Sequence, residues 1–350
     1  MLKALERFGR TLLLKFLNRH RLKEAGLQDT PRSILVIRTD PRVGNVIMLT
    51  AFLKEIHIAF PEAKLTLLGP SKAQMLLAQF PIVHALWPFN KKNFLGEDGW
   101  FATLTRLKEH QFDLIIDASN PTNPSTTQTL LTLYGRAPHT LSFGRPESKS
   151  AYTLVAEPLS AQTHENIQRV QLLSPLGYTT SSPQLPDLSH LVATPSPSIE
   201  TWIHNEALED FIVINIGARL VEKQLQAKDY RDLIQSLETL KLEVVLSYGP
   251  SELSLAEQAS QDTSARLAPK TDLLELATLF HRARAVVTCD TGPMHLAVAL
   301  GTPTCGIFVS TSPERYGYAS AGHTRLDARK GFGADLLDAV TQWVTALVQA

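Results

Sequence analysis

Cysteine is nearly missing: Cys289 and Cys305 are the only two in 350 residues. Two thiols close one bridge at most. A disulfide framework and a cysteine-rich zinc site are therefore excluded, and a reducing, cytoplasmic setting is the expectation. Long apolar runs are also missing. No uninterrupted stretch nears the roughly 18 residues a membrane-spanning helix needs, so none is expected. The glycine fingerprint G-x-G-x-x-G and the phosphate loop G-x-x-x-x-G-K-[ST] are both absent, which disfavours a nicotinamide dehydrogenase and a P-loop NTPase. Net charge is absent as well, with 34 basic residues against 34 acidic ones. A zero sum argues against a protein that coats nucleic acid.

What is present is an ordinary globular composition, 44% apolar. At about 150 residues per domain the length predicts two domains. The zero charge conceals a division: residues 1–180 carry 21 Lys and Arg against 14 Asp and Glu, and residues 181–350 carry 13 against 20. Much of the positive excess lies in residues 1–24, with seven basic and two acidic residues. There Leu2, Leu5, Phe8, Leu12, Leu13, Phe16 and Leu17 recur at helical spacing. The segment reads as an amphipathic basic helix, able to lie on an anionic membrane or simply to pack on its own domain. Lys15 interrupts its apolar run and no small-residue cleavage site follows, which argues against a secretory signal.

Beyond it, short β-rich runs alternate with helical patterns. Strand candidates are 33–38, 64–68 and 112–117, with weaker ones at 84–88 and 139–143; helical patterns fall near 44–59, 72–79, 97–110, 124–136 and 164–176. A Ser/Pro-rich stretch, 181–198, interrupts the rhythm and reads as a linker. It restarts with strands at 211–216, 243–248, 285–289 and 304–309, helices near 228–240, 252–261, 272–283 and 293–300, and a last amphipathic helix at 333–349. Such β-α alternation predicts an α/β protein of two Rossmann-like domains with parallel sheets, a cleft between them being the default ligand site. The expected division is 1–30, 31–180, linker 181–200, 201–332 and 333–350.

The sharpest local signal is Asp290-Thr291-Gly292-Pro293-Met294-His295, directly after a strand. Pro293 suits the first helical position, Thr291 or Gly292 a cap, and Gly292 a close backbone approach. Free amides at such a helix start favour a phosphate, while Asp290 and His295 are able to bond a sugar or a pyrophosphate. An unliganded cap reads equally well from spacing alone. Lys223, six residues beyond the strand-end Gly217, reaches toward an anion or into solvent. Glu252 lies at a third strand-to-helix turn, where a carboxylate binds a ribose hydroxyl or complements the helix dipole.

Several segments together resemble the heptosyltransferases of the lipopolysaccharide pathway, inverting glycosyltransferases of the GT-B fold (glycosyltransferase family 9). They are ILVIRTDPRVGNVIMLTAFLKEIHIAFPEAKLTLLG (34–69), FDLIIDAS (112–119), HENIQRVQLLSPLGY (164–178), INIGARLVEKQLQAKDYRDLI (214–234) and DLLELATLFHRARAVVTCDTGPMHLAVALGTPTCGIF (272–308). The resemblance implies a nucleotide-diphosphate sugar, usually ADP-heptose, held by the second domain, and an anionic glycolipid acceptor approaching the first. It places Asp290, Thr291, Gly292, His295 and Lys223 on the family's donor contacts, with Glu252 at the nucleotide ribose. The expected location is cytoplasmic, at the inner face of the inner membrane, with residues 1–24 as the candidate surface contact. No cofactor or metal is expected, since the D-x-D signature of metal-dependent transferases is absent, and no nucleic-acid partner.

The sequence departs from that pattern at the assigned base. The family's first βα loop ends in Gly-Asp; here it reads Arg38-Thr39-Asp40-Pro41-Arg42-Val43-Gly44-Asn45, so Asn45 stands where the aspartate belongs. An amide accepts no proton at neutral pH, and the loop is one residue longer at Pro41. Three readings follow. Asp40 substitutes as the base, the acceptor is an anion needing no deprotonation, or the chain binds donor with little transfer and serves as a scaffold or regulator. Arg42, Arg145 and Lys149, with Arg38 and Arg136 nearby in sequence, are candidates for an anionic acceptor.

Overall fold

The computed structural model describes residues 29–122, 125–144, 151–218, 220–320 and 322–349. The basic segment 1–24, Arg145, Lys149 and Arg219 lie outside these. The chain divides into two compact units, with the boundary between Gln184 and Leu185.

The first unit is built on β1 (Ser33–Ile37), β2 (Lys64–Pro70), β3 (Ala85–Phe89), β4 (Leu114–Asp117), β5 (His139–Phe143) and β6 (Leu154–Ala156), all parallel in the order β3-β2-β1-β4-β5-β6. Val36 and Ile116 face one another in register across β1 and β4. Every residue of β4 and all but the first of β1 are buried, the mark of strands covered on both faces. The connecting helices are α1 (Val43–Ala59), α2 (Ala73–Leu77), α3 (Trp100–Glu109), α4 (Thr126–Tyr134) and α5 (Glu165–Val170), the last continuing as a 3-10 turn to Leu176. One core cluster gathers Leu35, Ile37, Leu68, Trp87, Leu107, Ile115 and Leu131. The helical pattern expected at 164–176 thus splits. Pro175 has no N–H for an α-helical ladder, and Gly177 closes the turn at φ +80°.

The second unit repeats the plan. β7 (Phe211–Asn215), β8 (Glu243–Ser247), β9 (Arg266–Leu267), β10 (Ala285–Cys289), β11 (Thr304–Phe308) and β12 (His323–Asp327) are parallel, in the order β12-β11-β10-β7-β8-β9. Around them run α6 (Pro197–Asn205), α7 (Ala227–Glu238), α8 (Leu253–Ser260), α9 (Leu273–Arg282), α10 (Gly292–Ala299), α11 (Pro313–Tyr316) and α12 (Ala334–Gln349). Val340 and Val344 of α12 join the same core as Leu233 and Leu237 of α7.

The Ser/Pro-rich stretch is structured rather than a free linker. Leu188 is buried and its N–H donates to Ala299 O at 2.7 Å, and Ser196 N–H donates to Thr278 Oγ1 at 2.9 Å. The unit boundary falls within this stretch, and its far end supplies a helix start, with Ser196 at the cap of α6 and Pro197 in its first turn.

Both sheets share one winding: the first strand of each unit lies beside the fourth, β1 beside β4 and β7 beside β10. The strand order reverses there. In doubly wound sheets ligands bind at that switch point, outside the carboxyl ends of the strands.

Candidate active site

At the switch point of the first unit, the chain leaves β1 through residues 38–42 and enters α1. Arg38 is 4% exposed and its Nη1 donates to Ala118 O at 2.8 Å, tying the loops after β1 and β4 together. Gln128 of α4 extends the tie. Its Nε2 donates to Ile37 O at 3.0 Å and to Asp117 Oδ1 at 2.9 Å, while its Oε1 accepts from Thr39 N–H at 3.2 Å. Asp117 is fully buried and also accepts from Tyr152 OH at 2.5 Å and from Ser119 N–H at 2.9 Å. A buried carboxylate so satisfied is a structural anchor.

On this floor the two candidate catalytic residues meet. Asn45 Nδ2 donates to Asp40 Oδ2 at 2.9 Å, and Arg42 clamps the same carboxylate through Nε at 3.0 Å and Nη2 at 2.6 Å. Arg38 Nη2 lies 3.8 Å away. Partial burial of Asp40 works to raise its pKa, but the Arg42 hydrogen bonds and the two guanidinium charges outweigh it, leaving the carboxyl at about 2. Asp40 is therefore an ionised but weakly basic group in this state. Arg136, at φ 49°, follows α4 and takes no part in the cluster's hydrogen bonds.

At the second unit's switch point Lys223, in a 3-10 turn (Val221–Lys223) after β7, reaches the loop after β10. Its Nζ lies 2.6 Å from Asp290 Oδ2 and 3.3 Å from Asp290 O. Thr311, after β11, donates to the same Oδ2 at 2.5 Å. Asp290 is 6% exposed while the Lys223 side chain is partly exposed, and the pair joins two loops. α10 then begins at Gly292, with Thr291 at its cap. Thr291 Oγ1 makes no capping bond and is buried without a hydrogen-bond partner. An orphan hydroxyl beside free helix-start amides suits a ligand oxygen. His295, 5% exposed, shares a 2.9 Å hydrogen bond between its Nδ1 and Tyr318 OH.

Glu252 caps the start of α8 after β8 and is 8% exposed, with its Oε1 accepting from Ser251 OH at 2.6 Å. Its Oε2 lies where a Cβ on residue 249 would stand, so a larger residue there would displace the carboxylate. A Cβ on Gly217 would in turn stand 3.6 Å from Gly249 N. The loops after β7 and β8 thus approach closely, with Glu252 beside them.

Lys223, Asp290, Thr291 and Gly292 are brought together at one switch point, and Asp40, Asn45 and Arg42 at the other. Thr311 and Tyr318 were not singled out from the sequence. Their only signal was position: both follow β11, and the turn Ser312-Pro313-Glu314-Arg315 between them is a helix start. Among the described residues no group of three or more His, Cys, Asp or Glu is placed to hold a metal ion.

Two doubly wound α/β units, each with polar groups at its switch point, have the fold of the GT-B class. The chain belongs to glycosyltransferase family 9 (heptosyltransferase), whose family pattern matches residues 100–330. It is 23% identical over 301 residues to the lipopolysaccharide core heptosyltransferase OpsX of Haemophilus influenzae, covering 82% of each chain. It is 23% identical over 295 residues to lipopolysaccharide heptosyltransferase 3 of Escherichia coli K12, covering 77% and 80%. Among solved structures, a family 9 glycosyltransferase from Veillonella parvula superposes with a TM-score of 0.76 at 19% identity, over 91% of this chain and 97% of that one. The E. coli heptosyltransferase WaaC with ADP superposes at 0.71 and 18% identity, over 90% and 99%. The expected fold class is borne out.

Proposed function

We propose that the protein moves a heptose, with inversion, from ADP-heptose to an anionic inner-core glycan of lipopolysaccharide at the cytoplasmic face of the membrane. The observation that carries this reading is the Lys223–Asp290 pair at the second unit's switch point, beside the uncapped start of α10. The solved WaaC chain of the same fold holds ADP, and the relatives named above are lipopolysaccharide heptosyltransferases.

In this reading Lys223 turns from Asp290 to the diphosphate and, with the amides at Gly292 and the Thr291 hydroxyl, takes up charge as the sugar–phosphate bond breaks. Asp290 parks the ammonium when no donor is bound. Asp290 and His295 bond the phosphate-linked sugar, and Glu252 bonds the ribose. The acceptor hydroxyl attacks the anomeric carbon from the opposite side, ADP leaves with the bonding electrons, and Asp40 takes the hydroxyl proton. Arg42 holds Asp40 too acidic for that task. An anionic group on the acceptor competes for Arg42, frees the carboxylate and raises its basicity as it binds. Asn45 then orients Asp40 rather than acting as the base. Arg145 and Lys149 supply further charge for the acceptor.

A second reading has specific support in the same Arg42–Asp40 fork: the attacking acceptor group is itself an anion and needs no base. Lys223→Ala tests the donor assignment. Calorimetry with ADP-heptose should show affinity reduced by roughly tenfold or more, as expected for a lost charge-assisted phosphate contact; unchanged affinity removes Lys223 from the donor site.

A further inference from the structure

Between β3 and α3 the first unit carries a loop that displays apolar side chains outward. Phe94 is 62% exposed, Leu95 86% and Phe101, in the first turn of α3, 62%. The loop is firmly built. Asn90 N–H donates to Asp98 O, Trp100 N–H to Asn93 O and Phe101 N–H to Phe94 O. Asp98 accepts from Ser71 OH at 2.5 Å and from Asn93 Nδ2 at 2.7 Å, and Trp100 Nε1 donates to Lys91 O at 3.0 Å. Gly99 is packed against the Asn93 and Gly96 carbonyls so closely that a Cβ there would lie about 2.9–3.0 Å from them. These bonds fix the loop's backbone with Phe94 and Leu95 at its exposed tip.

The Ser71–Asp98 bond brings the start of α2 against this loop, adding exposed Lys72 and Met75, the latter 54% exposed. Exposed Lys91 and Lys92 flank the tip on the other side. The acids within the loop are Glu97 and Asp98, and the Asp98 carboxylate is engaged by Ser71 and Asn93. An apolar tip ringed by lysines is the pattern of a segment that dips into a bilayer while its ammonium groups meet anionic headgroups. A second protein is a poorer fit. Protein interfaces are depleted in lysine, whereas exposed Lys72, Lys91 and Lys92 border this patch.

We infer that the loop Asn90–Phe101, with Phe94, Leu95 and Phe101 at its tip, is an attachment site for an anionic lipid bilayer. The site does not depend on which donor or acceptor the enzyme uses. It lies outside the basic segment 1–24, which offers a separate electrostatic contact.

The test is sedimentation of the full chain with vesicles of mixed phosphatidylcholine and phosphatidylglycerol, against phosphatidylcholine alone. The wild type should bind the anionic vesicles preferentially. The triple variant Phe94→Ser, Leu95→Ser, Phe101→Ser should partition roughly tenfold less or weaker still, with unchanged circular dichroism and unchanged turnover on a water-soluble acceptor. Leu95→Trp should gain fluorescence that brominated lipid quenches. Three results overturn the inference: wild-type partitioning of the triple variant, absence of quenching in Leu95→Trp, or a concentration-dependent dimer that the serine substitutions abolish. Absent turnover with intact vesicle binding would count against the donor reading and leave the loop assignment standing.

Discussion

Asp40 carries the most informative chemistry at the scale of single residues. Folding lowers its carboxyl from the ordinary 3.8 to about 2, so the stabilisation it provides is fully present above about pH 4 and is lost as pH falls through 2. At working pH it is always ionised, and kcat/KM should show no acidic limb from this group between about pH 4 and 7. If Asp40 is the base, Asp40→Asn should lower kcat by about 10²–10⁴-fold with donor affinity unchanged; an anionic acceptor that needs no base predicts a far smaller loss. Asn45→Asp is the complementary probe. It removes the 2.9 Å amide donor and sets a second carboxylate against Asp40. Like charges at that distance raise one pKa of the pair. An acidic limb should therefore appear in the pH–rate profile of this variant, and a profile identical to wild type would show that Asn45 and Asp40 do not share the site during turnover.

At the scale of elements, the central strands and long amphipathic helices were legible because burial on both faces or on one stripe leaves a clear periodicity. Asp272 and Glu275 at the start of α9 are a readable capping box. Asp272 accepts from the Leu274 and Glu275 amides, both at 2.8 Å, and Glu275 accepts from Asp272 N–H at 2.9 Å. Asp272→Ala should cost about 1 kcal/mol, a fall of a few degrees in the unfolding midpoint of a unit this size, roughly 2–4 °C; thermal unfolding checks it. Among the edge strands β3 was expected, at 84–88, whereas β6, β9 and β12 were not. β12 is His-Thr-Arg-Leu-Asp and half-exposed, and β9 is two residues long, so neither has the apolar run that marks a central strand. α6 was hidden by its own Ser/Pro capping residues. In the candidate site, Lys223 and the Asp290–His295 segment were visible because strand-to-helix turns announce helix-start chemistry. Thr311 and Tyr318 were not, since their partnership with Asp290 and His295 is a matter of tertiary approach that spacing along the chain does not encode.

At the scale of the whole molecule, both units use one winding and each puts its charged residues at the same topological place. That repetition gives the donor reading its weight, because the acidic second half of the chain is poorly suited to a diphosphate by net charge. Local groups must supply the attraction: Lys223 and the start of α10. The basic first half is suited to an anionic glycolipid, and the loop at Phe94–Leu95 adds a second means of approaching one. Among the described residues no helix is long and apolar enough to cross a membrane. The most direct measurement is incubation of the full chain with radiolabelled ADP-heptose and a heptose-free inner-core glycolipid. The account predicts label on the glycolipid with matching release of ADP, both strongly reduced in Lys223→Ala. Neither transfer nor binding of the nucleotide sugar would contradict it.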